Sequence, residues 1–453
     1  MMQTTQYLRK PQELPPGFIT STGLLIASFA IAFFPRIVQA VGAPAPVNFL
    51  HFILLPLACA IVMCTSRVRD QKQIAIVNSI LLGLAILFAI ATGSALLNGA
   101  GLVNVFLGLM IISEPFIFLA ALLSIPFTPE ILRRFKKWIL GFGAAHFGLA
   151  LLQKIGLSTG ILPHTRLTIE DNVQGVFYLS SGGHVVGSSV SLLFGLYFYF
   201  TEKSMPTWVR TSVLLAVMAQ ILVADAKQVI FVGIIAWVLL ILSKLTDIKV
   251  ALQYIIAAVL IGYVFYWCIY NVDAFRAYQT WIRPHIYGPE GDATLLKTGP
   301  LRIIPNHYTS ALNWLFGLGP GHTIGRIGGW MIRDYWSLVG PLGATIHPVS
   351  ELVWKTWDGH YLNSSFFSPF WGWAGIWGDL GFLGLASYIF LWIIAWQHLC
   401  KDDLSRFFVL NVLINGFIFT LMEEPGFTLT TIILICLRWH EQRLKEQQSR
   451  FQG

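Results

Sequence analysis

Seven cations fall within one stretch of the chain, residues 271–373: Arg276, Arg283, Lys297, Arg302, Arg326, Arg333 and Lys355. Arginine presents a planar fork of donors that matches phosphate oxygens two at a time, and lysine adds a point charge. As a set, such residues suit the diphosphate of a lipid. Two further cations precede this stretch. Arg166 stands in Arg166-Leu167-Thr168-Ile169-Glu170-Asp171, and Lys227 in Asp225-Ala226-Lys227-Gln228, a turn between two apolar runs. Asp and Lys together in so short a turn are costly unless they face water or a partner. Two readings stay open for Lys227: it binds a ligand, or it pairs with Asp225 or snorkels to the headgroups.

Proton transfer needs a base. His164, His184, His285, His307, His322, His347 and His360 gather in the same parts of the chain, and histidine can accept a proton near neutral pH. Singly, such histidines also serve as hydrogen-bonded loop residues. Their spacing matches no metal motif and HExxH is absent, so no metal site is expected. Glu170, Asp171, Asp334, Glu351 and Asp358 could also act as bases. Glu423-Glu424 precedes the breaker Pro425-Gly426 and is expected to be a hydrated turn. Gly317-Leu318-Gly319-Pro320-Gly321-His322 marks backbone that turns tightly or approaches a ligand. The nearby tryptophans Trp281, Trp314, Trp330, Trp336, Trp354 and Trp357 suit an interfacial aromatic belt, with stacking on sugar rings as the alternative.

These residues must be held by membrane helices. Of 453 residues, 55% are hydrophobic and 11% charged, less than half the roughly 25% charged share of soluble domains. Mean hydropathy is +0.67. A soluble domain, a disordered scaffold and a disulfide miniature are excluded, and the apolar runs are too long for barrel strands. The five cysteines lie in or beside apolar runs with no CxxC pair, so neither disulfides nor zinc is expected. The expected fold is an all-α polytopic membrane protein with twelve spans. They cover 18–40, 46–65, 74–93, 103–127, 138–157, 176–200, 208–224, 228–243, 250–270, 374–397, 407–421 and 427–438. The first follows Arg9 and Lys10 and reads as a retained signal anchor.

With the N-terminus inside, 19 of the 30 Lys and Arg residues fall on the inner side, as the positive-inside rule requires. Both termini are then cytoplasmic. The chain divides into spans one to nine (1–270), a large outer loop (271–373) and spans ten to twelve with a tail (374–453). The loop holds eight of the sixteen tryptophans and no low-complexity run, so it is expected to fold as a cap of short helices on the membrane surface. No internal repeat is detectable, and ionisable groups lie mostly at span ends, with Glu114 an interior exception. Both features weigh against a transporter.

Four stretches carry a resemblance to the bacterial O-antigen polymerase and ligase superfamily. Arg166 followed by Gly182-Gly183-His184-Val185-Val186-Gly187-Ser188 is similar to that family's arginine and Gly-rich turn. Asp225-Ala226-Lys227-Gln228 resembles its signature at the start of a span. Phe316-Gly317-Leu318-Gly319-Pro320-Gly321 looks like its loop element. Asn363-Ser364-Ser365-Phe366 with Trp377-Gly378-Asp379-Leu380-Gly381-Phe382-Leu383-Gly384 resembles its His-Asn-Ser-Phe element and the span that follows. Asn363 stands where many ligases carry a histidine, and the gap from there to Gly381 is longer than usual.

The resemblance covers roughly residues 160–400. It implies a GT-C-like inner-membrane glycosyltransferase, inverting and metal-independent, that needs no cofactor and has no nucleic-acid partner. The donor would be an undecaprenyl-diphosphate-linked glycan, and the acceptor another such glycan in a polymerase or lipid A core in a ligase. Besides the bilayer, a chain-length regulator or other glycan-assembly proteins would be partners. Arg166, Lys227 and Arg302 would grip the diphosphate with Arg326 in reserve. His360 would be the base, with His347 second. Polymerase is preferred to ligase because of Asn363. A transporter of a lipid-linked glycan or small anion is the alternative from another class.

Overall fold

The computed structural model describes residues 19–163, 168–180, 182–244, 248–281, 283–358 and 368–452. Those residues form helices and no strand. The first ten helices are α1 (Ser21–Phe33), α2 (Pro35–Ala40), α3 (His51–Thr65), α4 (Gln71–Asn98), α5 (Leu102–Leu123), α6 (Pro129–Ser158), α7 (Gly183–Thr201), α8 (Thr207–Val223), α9 (Lys227–Leu242) and α10 (Ile248–Asn271). Short helices follow: α11 (Pro284–Tyr287), α12 (Asp292–Ile303), α13 (Leu312–Phe316), α14 (Ile332–Asp334), α15 (Trp336–Val339) and α16 (Pro348–Trp357). Three longer ones close the chain: α17 (Gly372–His398), α18 (Asp403–Asn415) and α19 (Pro425–Gln452).

Each of the twelve expected segments lies on one or more of these helices. Among the described residues, seven helical segments are long and apolar enough to cross a membrane, and three shorter apolar helices accompany them. The difference from twelve has local causes. Proline lacks an N–H and clashes with the preceding turn, so the first segment breaks into α1 and α2 at Pro35. The last two segments differ for another reason: α18 has only 13 residues, and α19 runs on from its apolar part into a polar tail.

Helix ends follow capping chemistry. The Asp70 side chain accepts from Lys72 N at 2.9 Å to start α4, and Gly99 ends it in the left-handed conformation. Thr128 and Asp402 cap α6 and α18 in the same way. The core forms where α4 packs on α17, α3 and α19 on α5, and α7 on α8 and α19. At one end of this bundle the connections are tied by ion pairs. Lys136 meets Glu202 and Glu441, Arg438 meets Asp402 at 2.5 Å, and Arg443 meets Asp70 at 2.7 Å. The loops before α4, α6 and α18, the α7 end and the polar part of α19 therefore share that end.

The opposite end carries 271–281, 283–358 and 368–371. Within this cap, α11, α12 and α16 pack together, and a second apolar core forms around Ile304, Val349, Val353 and Phe370 with Trp377 of α17. Lys297 of α12 donates to the backbone carbonyls of Ser368, at 3.2 Å, and Ile418, which fastens the cap to the segment between α18 and α19. Burial lowers the Lys297 pKa to about 7.

Candidate functional site

The glycine stretch after α13 and the glycines of α17 are built to meet. Gly317, Gly319 and Gly321 have φ of 72°, 106° and 68°, a region that residues with a Cβ rarely enter. Gly381 interrupts α17 with φ 66° and ψ −165°. Leu318 N then donates to Gly378 O at 2.8 Å and Gly319 N to Asp379 O at 3.0 Å. The Asp379 carboxylate accepts from Gly321 N at 2.7 Å, Thr323 N at 2.9 Å and Thr323 Oγ1 at 2.5 Å. Two of the sequence motifs thus form one joint, which fixes the chain leading to Arg326.

Arg326 is fixed from both sides. Its backbone N–H donates to Glu423 Oε2 at 2.5 Å, and its guanidinium pairs with Glu424. Its side chain is 15% exposed. Burial, and after it the neighbouring Arg36 guanidinium, lowers its pKa to about 10, which leaves it charged at neutral pH. The expected hydrated turn at Glu423-Glu424 is therefore corrected. Glu423 is 4% exposed, because the connection from α18 to α19 folds inward beneath the Arg326 chain. Burial raises the Glu423 pKa to about 8.

Arg36 faces Arg326 because Pro35 breaks the first helix directly before it. It bonds Gln39 Oε1 at 3.3 Å and has no carboxylate partner among the described residues. Together with Ser180, Asp334, Tyr335 and Glu424, the two arginines line a cavity of about 350 Å³. That lies within the roughly 300–1,000 Å³ of small-molecule sites. A smaller extension of about 40 Å³ shares both arginines and reaches Asn48 and His51. His51 Nδ1 in turn sits 2.8 and 2.9 Å from the two carboxylate oxygens of the fully buried Glu114. The interior acid singled out in the sequence has a partner.

Of the charged and aromatic residues named from sequence, Arg326, Trp330, Asp334 and Glu424 line this cavity. Arg166 and His360 lie outside the described residues, as does Asn363. Lys227 pairs with Asp225, whose φ of 51° turns the chain between α8 and α9, and its carbonyl accepts from Tyr278 OH at 3.2 Å. That pair shares electrostatic surroundings with His184, which lies 3.4 Å from Asp171. This is a second charged cluster at the cap end. Arg302 is exposed on α12 and donates to Leu295 O at 3.0 Å; it does not line the cavity.

His347 stands before α16 and accepts from Val349 N at 3.2 Å through Nδ1. It stacks on His322 with ring centroids 5.3 Å apart and lies 5.9 Å from His307. Burial, then these two rings, lowers its pKa to about 4. The imidazole is neutral at pH 7, with Nδ1 occupied by the cap and the proton on Nε2. In that tautomer it orients a helix and has no free lone pair for an incoming proton.

Arg36 was missed because it lies inside an apolar run taken as one span. Its signal is Pro35 directly before it, which ends a helix in mid-run and leaves the next residue at the break. Among the described residues no group of three or more His, Cys, Asp or Glu side chains could hold a metal ion. No protein-family model matches the chain, and no curated protein matches it.

Proposed function

We propose that the chain is a membrane glycosyltransferase that polymerises polyprenyl-diphosphate-linked glycan repeats. It would work at the outer face of the bacterial inner membrane, with twelve helical passes in a GT-C-like arrangement and both termini in the cytoplasm. One observation carries this reading: two arginines, one lacking a carboxylate partner among the described residues, face each other across a cavity at the cap end. Facing guanidinium groups repel, and an anion bound between them relieves that repulsion. A diphosphate offers oxygens enough for both forks.

In the proposed reaction an acceptor sugar hydroxyl attacks the anomeric carbon of the donor. The new C–O bond forms as the bond from that carbon to the diphosphate oxygen breaks, and the diphosphate leaves with the electron pair. Arg36 and Arg326 stabilise the charge that develops on that oxygen, from donors already in place. The hydroxyl proton passes to a base, the role the family resemblance gives to His360.

The test is reconstitution of the purified protein with an undecaprenyl-diphosphate oligosaccharide from its own host. A ladder of lengthening lipid-linked products is expected, with loss of the ladder in Arg36→Ala and Arg326→Ala proteins that remain folded. No ladder, with transfer only when lipid A core is added, would replace polymerase by ligase. Folded protein silent in both assays would sink the glycosyltransferase reading.

A further inference from the structure

A second cavity, of about 740 Å³, lies among α7, α8, α9, α10 and α18, apart from the arginine cavity. Protein interiors are close-packed, and voids larger than a water molecule are few. This one is half open at the helix surface and has room for the hydrocarbon of an amphiphile. Its walls are apolar for most of its length: Leu192 and Leu196 of α7, Ile221 of α8, Val229 and Trp237 of α9, Ile261 of α10. The charged side chains that line it, Lys203, Lys244, Asp402, Asp403 and Arg438, belong to the bundle end tied by ion pairs. Lys227, at the cap end of α9, does not line it.

That polarity selects the occupant. An amphiphile seated here places its hydrocarbon along α9 and its headgroup at the end away from Arg36 and Arg326. At that end three cations stand against two carboxylates. Lys244 pairs with Asp403 and Arg438 with Asp402 and Glu441, while Lys203 is exposed and has no ion pair among the described residues. Lys203 is thus the lining cation left over, and it complements one phosphate. Lys244 also lies 5.9 Å from the Tyr254 ring centroid, so cation and aromatic face share the rim as at a lipid–water boundary.

We propose that this cavity is a binding site for an anionic glycerophospholipid of the leaflet on the ion-paired side, held by its acyl chains along α7 and α9 and by its phosphate at Lys203 and Lys244. The site is independent of the glycosyltransferase reading. An isoprenoid carrying its diphosphate at the arginine cavity would have its headgroup at the wrong end.

The experiment uses full-length protein purified in mild detergent, with bound lipids extracted and quantified by mass spectrometry. The delipidated protein is then melted with added phosphatidylglycerol or phosphatidylcholine. A Cβ built at Gly233 meets nothing closer than Leu192 Cδ2 at 3.7 Å and Phe407 Cζ at 4.0 Å, so Gly233→Trp puts its ring into the cavity. Wild type is expected to retain phosphatidylglycerol in stoichiometric amount and to melt higher on its return, with a smaller response to phosphatidylcholine. Gly233→Trp should neither retain it nor respond. The pair Lys203→Gln with Lys244→Gln should keep a lipid but lose the headgroup preference, and it decides the matter if the tryptophan variant does not fold. Unchanged retention in Gly233→Trp, equal responses of wild type to both lipids, or an isoprenoid as the displaced lipid would each overturn the proposal.

Discussion

Charge at a few residues sets what the cap-end cavity can hold. Arg36→Ala and Arg326→Ala are each expected to slow glycan transfer about 100-fold, the scale for removing one positioned stabiliser of developing charge. Arg36→Lys should recover part of the rate, since lysine restores the charge without the fork. Initial rates on the reconstituted protein measure this, and an Arg36→Ala enzyme at wild-type rate would remove Arg36 from the site. Glu423 gives a prediction that does not depend on activity. Its pKa rises from 4.5 to about 8 on folding, so between those values the folded state holds a proton that the unfolded state has lost. Stability from this group therefore falls as pH rises from about 4.5 to 8 and is level above that. Glu423→Gln keeps an oxygen for Arg326 N and has no proton to lose. Its melting temperature should stand above wild type at pH 8.5, with the gap closing by pH 4.5; parallel melting curves across that range would refute the assignment.

At the scale of elements, the joint between the 317–321 loop and the break in α17 positions the Arg326 chain. A Cβ at Gly317 would stand 2.5 Å from the Asp379 carbonyl carbon, and one at Gly381 2.3 Å from that of Leu315. Gly317→Ala and Gly381→Ala should each cost at least the roughly 1–3 kcal/mol of a strained backbone position. Gly141→Ala, in α6 with nothing within 4 Å, should stabilise by up to about 1 kcal/mol. Equal melting shifts for all three would show that the joint is not tight. The sequence displayed both halves of the joint as glycine clusters. It could not display that they touch, because the contacts join residues 56 to 60 positions apart and depend on φ values that the letter Gly permits without specifying. The inward turn at Glu423-Glu424 was hidden for a related reason: two acids before Pro-Gly read as solvated until the backbone N–H they accept from is known. Helices such as α4 and α7 were legible as elements because their apolar runs are long, but not in their ends: α4 runs Gln71–Asn98 where 74–93 was expected, and α7 starts at Gly183 rather than 176.

For the whole molecule, the twelve apolar segments and the grouping of basic residues were readable because burial and charge placement act on composition alone. The structure adds which loops share an end, through Lys136, Arg438 and Arg443 and their partners. With the proposed topology, Leu342→Cys in the cap and Ser449→Cys on α19, each in a cysteine-free chain, should lie on opposite sides of the membrane. An impermeant maleimide applied to spheroplasts should label Leu342→Cys and spare Ser449→Cys until the cells are opened. Equal labelling of both in intact spheroplasts would refute the topology.

The joint at α17 also has a consequence in time. The chain emerges N-terminus first, so Arg36, on α2, is made early and Arg326 much later. Ser350 and Trp354 bond the chain on either side of Arg326 earlier, but the Asp379 carboxylate that anchors its loop and Glu423, which receives its N–H, come later, and Glu423 stands just before the last helix. The two arginines therefore come to face each other only at the end of synthesis. A nascent or truncated chain that stops after α17 holds most of its membrane helices but lacks the 419–424 wall of the arginine cavity, so assembly of that cavity reports completion of the chain.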